Sequence, residues 1–226
     1  MEPRIYVACL ASYNNGVLHG RWIDATSDAA GMRDEVNAML RESPFPNVTI
    51  ACRDCDGTGV ATFRNVETKT DETGPCDTCK GEGYYRSAEE FAIHDYEDSP
   101  QSFGEYTSLA TIAEFVSLTE SESYVDAHVI AACVDEMGGD IDAARRMIEN
   151  NFCGVFETFR DYADEFADEQ LAQESLPSWI TSYFDYEAYA RDLASEMRVI
   201  DMGSRGVAVF YYCLLYTSPS PRDDIS

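Results

Sequence analysis

Basic side chains are scarce in this chain: 16 Lys and Arg stand against 42 Asp and Glu in 226 residues, a formal net charge of −26. Between Arg86 and Arg145 there is no Lys or Arg at all. So few cations in this half argue against its binding nucleic acid or an anionic membrane directly, both of which are gripped mainly by Lys and Arg. Also missing is any apolar run near the roughly 18 residues that cross a bilayer. The opening Met-Glu-Pro-Arg-Ile-Tyr-Val lacks the pattern of a secretory signal. A cytoplasmic protein with no membrane partner is expected. Histidine is limited to His19, His94 and His128, none of them in a His-Glu-x-x-His or His-x-Glu arrangement. There is no Walker A loop, no dinucleotide Gly-x-Gly-x-x-Gly turn and no Gly-x-Ser-x-Gly elbow. Carboxylate pairs are so frequent that none singles out an acid–base couple. The chain is therefore read as a non-enzyme with no catalytic residue.

What is present is enough for folded cores, since 45% of residues are apolar and 12% aromatic. Salt adaptation or plain solubility would account for an acidic surface, but not for its unevenness. Residues 1–86 hold 13 acids and 9 bases, whereas residues 87–212 hold 27 acids and 6 bases. A negative face meant for a basic groove needs that polarity. Arg4 to Tyr13 alternates like a strand, Asn14-Asn15-Gly16 signals a hairpin turn, and Val17 to Ala25 is predicted to return as its partner. A helix capped by Ser27 or Asp28 is predicted to run to about Arg41, followed later by a strand at Phe91–Tyr96. From Ser108 the periodicity turns helical, with Gly138-Gly139 as a break and Asp140 as a cap. An acidic helix from about Phe156 to Glu174, a helix from Tyr186 to about Met197 and a hairpin of strands near Val199–Met202 and Val207–Tyr211 complete the chain. The fold class expected is α+β: three small domains at 1–102, 103–154 and 155–212, the middle one mainly helical.

Four of the eight cysteines form two copies of one motif, Cys52-Arg-Asp-Cys55-Asp-Gly57-Thr-Gly59 and Cys76-Asp-Thr-Cys79-Lys-Gly81-Glu-Gly83. Each Cys-x-x-Cys lets two thiolates converge on one ion, and the glycines permit a turn whose amides face the sulfurs. Two pairs complete a four-cysteine zinc site with no open position, hence a structural Zn2+ ion, one per chain. Both halves resemble the zinc repeats of the DnaJ co-chaperones, although only two repeats occur and no His-Pro-Asp tripeptide is present. The module reads as an insertion of about residues 47–86 in the first domain. A zinc-dependent protein-interaction or co-chaperone-like role is the alternative function that this motif raises. Cys9, Cys133, Cys153 and Cys213 are scattered, as thiols are in a reducing compartment.

In the acidic segment, Glu157, Asp161, Asp164, Glu165, Asp168 and Glu169 alternate with Phe156, Phe159, Tyr162, Ala163 and Phe166. Helical residues four apart are separated by about 6 Å of rise, while DNA carries a charge every ~3.4 Å of axis along each strand. Carboxylate rows can thus approximate phosphate rows, though a solvated helix face explains any single row as well. Pro3-Arg4-Ile5-Tyr6-Val7-Ala8-Cys9-Leu10-Ala11-Ser12-Tyr13-Asn14-Asn15-Gly16, with Leu18-His19-Gly20-Arg21-Trp22-Ile23-Asp24-Ala25 after it, resembles the opening of the ArdA antirestriction family. Ala88 to Glu97, Glu105-Tyr106, Phe156 to Glu165 and Phe184 to Leu193 continue the resemblance, in order, over nearly all of residues 3–211.

That resemblance implies an elongated, three-domain protein, dimeric through its last domain. It implies a mimic of bent B-form DNA that occupies the DNA site of type I restriction-modification enzymes, encoded on mobile genetic elements. The carboxylates nominated as its partner-binding surface are Glu105, Glu114, Glu120, Glu122, Asp126, Asp135, Glu136, Asp140, Asp142, Glu157, Asp161, Asp164, Glu165, Asp168 and Glu169. The cysteine module departs from the pattern, for many relatives have a short loop there. Charge alone requires only a basic partner.

The final residues 213–226, Cys-Leu-Leu-Tyr-Thr-Ser-Pro-Ser-Pro-Arg-Asp-Asp-Ile-Ser, break in composition from all that precedes them. They resemble the translation of a transposase-type sequencing adapter and are set aside from fold reasoning. A chain ending at Tyr212 is expected to melt at the same temperature as the full chain and to inhibit equally; a loss of either on truncation would make the tail a working part of the protein.

Overall fold

The computed structural model describes residues 2–64, 69–174 and 177–212. Segment 213–226, read above as adapter translation, lies outside the described residues. The fold is α+β, and the chain divides into two compact units, Met1–Ser121 and Glu122–Ser226. The helical stretch expected at 103–154 is thereby shared, its first helix falling in one unit and the next two in the other.

The first unit is built on β1 (Arg4–Cys9), whose Ile5, Val7, Ala8 and Cys9 are fully buried. A short helix α1 (Leu10–Tyr13) leads to β2 (Gly20–Asp24) and then to α2 (Ala29–Arg41). β3 (Val48–Ala51), β4 (Val60–Arg64), β5 (Asp71–Pro75) and β6 (Tyr84–Ser87) follow, before β7 (Phe91–Glu97) and α3 (Leu109–Ser121). β1 is the centre of an antiparallel sheet ordered β2-β1-β7. Met32, Val36, Met39 and Leu40 line the buried side of α2, at the spacing that puts them on one helical face. Asp28 is the cap, its side chain accepting the Ala30 N–H at 3.0 Å. α3 packs beside α2, and its Phe115 meets Phe103 edge-on at 5.7 Å.

Here the structure corrects the predicted hairpin. β1 and β2 do pair antiparallel, from Arg4↔Asp24 to Ala8↔Gly20, but the ladder ends with the Cys9 N–H on the His19 carbonyl at 2.8 Å, well short of the predicted turn. Residues 10–13 coil instead, because Ser12 is drawn into the core, where its hydroxyl shares a 2.9 Å hydrogen bond with Ser43. The predicted turn Asn14-Asn15-Gly16 is a turn, but it closes a helix rather than a ladder.

β3 and β6 pair antiparallel from Val48↔Ser87 to Ala51↔Tyr84, and β4 and β5 form a second two-stranded ribbon. Neither joins the central sheet; β6 instead contacts α2, with Arg41 over the Tyr85 ring.

In the second unit α4 (Ala127–Glu136), α5 (Ile141–Asn151) and β8 (Phe152–Phe156) precede the acidic helix α6 (Phe159–Gln173). Then come α7 (Ser178–Thr181), α8 (Tyr186–Leu193), β9 (Met197–Asp201) and β10 (Val207–Tyr211). The antiparallel sheet is ordered β8-β10-β9. Val209 of β10 clusters with Tyr162 and Ala163 of α6 and with Ala190 and Leu193 of α8. Its neighbours Ala208 and Phe210 point to the opposite face and are equally buried, in a sheet that α4 and α5 also contact.

Two boundaries differ from expectation. Phe156 belongs to a strand rather than to the acidic helix, and its ring packs on Tyr162 of that helix at 5.0 Å, which imitates helical spacing in the sequence. Met197 opens β9 instead of ending a helix, because the chain turns through Ala194, Ser195 and Glu196, whose N–H groups bond back to Ala190, Asp192 and Leu193. With Phe210 central and fully buried, Phe210→Ala is expected to lower unfolding stability by about 3–5 kcal/mol. Urea titration followed by circular dichroism checks this, with Tyr183→Ala at an exposed site expected to change stability by less than about 0.5 kcal/mol.

Candidate metal centre and acidic helices

The two cysteine motifs fold as near-repeats of one another. Cys52 follows β3 and leads into a single 3-10 turn at Arg53–Cys55, while Cys76 follows β5. The repeats lock together through their backbones: Cys52 N–H donates to the Gly83 carbonyl and Cys76 N–H to the Gly59 carbonyl, each at 2.9 Å. Gly59 and Gly83 have φ of +77° and +82°, and a Cβ on either would stand 2.3 Å from a carbonyl oxygen of the other repeat. Only glycine allows that approach.

All four cysteines are buried, and their sulfurs lie within 4.8 Å of one another. Cys52 and Cys76 are 3.8 Å apart at sulfur and Cys55 and Cys79 3.7 Å, too far for the ~2.05 Å of a disulfide. A tetrahedron of sulfurs with metal bonds of about 2.3 Å has edges of about 3.8 Å, so the cluster has the size a four-thiolate site requires. Outer donors are in place as well: the N–H groups of Gly59 and Gly83 point at the sulfurs of Cys55 and Cys79, each at 3.2 Å. Burial pushes the Cys52 thiol up to about 12. At Cys79 burial is outweighed by the amides of Gly83 and Gly81, which bring the thiol down to about 7. These four residues could hold one metal ion, with Ala61 and Tyr85 packed beside them. Elsewhere burial pushes Cys133 up to about 12, which leaves it a core side chain rather than a ligand.

The nominated carboxylates fall on both units, with Glu105, Glu114 and Glu120 on the first and the remainder on the second. Glu122, Asp135 and Asp164 are half-buried, and the others are exposed. Several have local structural work, of which sequence reasoning assigned the Asp140 cap alone. Asp126 caps α4 by accepting the His128 N–H at 2.8 Å, and that bond, with the His128 ring, holds its carboxyl below the usual range. The cap therefore contributes stability above the ordinary carboxylate pKa and loses it as the pH falls through the lowered one. Asp140 caps α5, and Asp161 forms a capping box with Thr158. Asp164 pairs with Arg160 at 2.6 Å and Glu136 with Arg198 at 3.4 Å. Glu105 lies 3.7 Å from His94, and Asp168 accepts the Tyr186 hydroxyl.

On α6 itself Asp161, Asp164, Glu165, Asp168 and Glu169 share one stripe, while Tyr162, Ala163 and Ala167 are buried on the other side. Glu157 precedes the cap Thr158 and so stands outside the helix on which the sequence placed it.

A family model for antirestriction protein (ArdA) matches residues 5–205. The chain belongs to the ArdA family. Antirestriction is thus the function its family carries, and the match runs across both units and through the cysteine module, which sits inside it. A comparison with curated proteins gives no match. Among the described residues, no helix of this ArdA chain is long and apolar enough to cross a membrane.

Since the four sulfurs converge on one point, elemental analysis of the purified chain is expected to give one metal ion per chain, and the Cys52→Ser/Cys79→Ser variant none. Undiminished metal in that variant would place the ion elsewhere.

Proposed function

We propose that the chain inhibits type I restriction-modification enzymes by mimicking DNA: its exposed carboxylates occupy the DNA-binding groove of the methyltransferase core and block restriction. The α6 stripe carries this reading, because five carboxylates on one helical face, of which Asp164 alone is ion-paired, to Arg160, supply an ordered row of negative charge. A groove evolved for phosphates attracts such a row over a distance and holds it by complementarity. No bond is made or broken, so the protein acts as an inhibitor and not as an enzyme, in the cytoplasm where its target works.

In the same reading the ion is zinc. Four thiolates suit it, and a closed site gives it a structural role: it ties the two repeats of the module together and leaves no position for a substrate. The chain acts as a homodimer through residues 155–212, following the family, and the division of charge between the two units lets both contribute acidic surface.

Inhibition by a field distributes the effect over many groups. Single changes such as Asp161→Asn or Glu136→Gln are expected to alter inhibition by less than about threefold. Neutralising Glu157, Asp161, Asp164, Glu165 and Asp168 together is expected to weaken it by at least about a hundredfold, and added salt weakens the wild type in the same direction. The test is inhibition of a type I enzyme by variants with one, three and five neutralisations at two ionic strengths, with folding followed by circular dichroism. One substitution that abolishes activity in a folded protein, with no effect of blocks elsewhere or of salt, would replace the DNA mimic with a localised site.

A further inference from the structure

Three large apolar side chains face solvent on one short loop of the first unit: Tyr13 is 55% exposed, Val17 41% and Leu18 67%. A single exposed apolar residue needs no explanation, but this loop is also pinned. The N–H groups of Asn14, Asn15, Gly16 and Val17 all return to carbonyls of residues 10–13, at 2.9 to 3.1 Å. The Asn15 side chain donates to the Ala11 carbonyl at 2.8 Å. Below the loop, Ser12 is hydrogen-bonded to Ser43, and the His19 ring meets the Met39 carbonyl at 2.8 Å, both at the C-terminal end of α2. The Tyr13 ring packs edge-on against His94 at 5.1 Å. The apolar side chains are therefore presented on a fixed backbone, and little ordering remains to be done when a partner covers them.

The charges tied to this loop decide which partner that is. Glu105 sits against His94, which carries Tyr13, and the chain as a whole has a net charge of −26. Of the cations on this unit, Arg21 of β2 is paired with Glu42 at 2.5 Å and Arg33 lies over the Phe91 ring, 5.1 Å from its centre. DNA, an anionic membrane or a second copy of this acidic chain would meet like charge here. A basic protein surface with an apolar hollow would not. We infer that the loop at residues 13–18 is an apolar anchor that docks on the basic DNA-binding surface of the target enzyme and prolongs a complex that charge assembles. This rests on the DNA-mimic reading and adds a division of labour to it: carboxylates set the rate of encounter, and the loop sets the lifetime.

The experiment measures association and dissociation of the full chain on an immobilised type I methyltransferase core, at two salt concentrations, for the wild type, Val17→Ser/Leu18→Ser and Tyr13→Ala. Both variants are expected to dissociate about tenfold faster or more, with association rate and its salt dependence within about twofold of wild type. The serine variant replaces exposed groups only and is expected to keep the wild-type melting temperature, so it remains informative if Tyr13→Ala is destabilised. Unchanged dissociation of the serine variant overturns the anchor and leaves the DNA mimic standing. A wild-type chain that does not bind the enzyme overturns both.

Discussion

Mutual repulsion among carboxylates is the constraint around which this protein is organised. A chain with a net charge of −26 stays folded only if its acids remain hydrated and its cores are dry. Among the described residues Ser12, Ser43 and Ser87 and the Tyr162 hydroxyl are buried, and no carboxylate is. The backbone offsets part of the repulsion. Asp28, Asp126, Asp140 and Asp185 accept amide hydrogens at the starts of α2, α4, α5 and α8, and Asp161 does the same within the capping box of α6. These are the helix ends where partial positive charge collects, so an acid there stabilises the helix that displays it. The residues that make the surface negative thus also start the helices that shape it.

The cysteine module answers a different shortage. Among the described residues its buried cluster consists of the four cysteines with Ala61 and Tyr85 packed against them, far too little apolar surface to order the module by itself. An ion bound by the four sulfurs would take the place of that core. The module joins the first unit through β3 and β6, with the Ala88 N–H on the Leu40 carbonyl at 3.0 Å, and leaves the β2-β1-β7 sheet uninterrupted. An insertion of this kind can be accommodated because it is attached at the end of α2 and not through the sheet.

Much of this was legible in the sequence because local chemistry decided it. The doubled Cys-x-x-Cys-x-Gly-x-Gly gathers its four sulfurs as the spacing required, and Asp28, Asp140 and the Gly138-Gly139 break punctuate the helices where they were expected. What could not be read depended on contacts distant in sequence. The coil at residues 10–13 exists because Ser12 finds Ser43, a pairing that strand alternation does not reveal. Phe156 has the periodicity of a helix yet pairs with Val207 in the sheet, which moved Glu157 off the acidic helix. Nor does a list of acids distinguish those tied up in caps and ion pairs from those that only face solvent, for that depends on where Arg160, Arg198 and Tyr186 fold to. The exposed apolar loop was hidden for the same reason, since Val17 and Leu18 look like strand residues until the ladder is seen to begin beyond them.

The most direct test of DNA mimicry is equilibrium competition: a purified type I methyltransferase core, its labelled recognition duplex and increasing amounts of the full chain. If the chain occupies the DNA groove, the duplex is displaced completely, a higher duplex concentration shifts the midpoint in proportion, and no ternary complex forms. A ternary complex of enzyme, duplex and inhibitor, or inhibition whose midpoint does not depend on duplex concentration, would contradict the account.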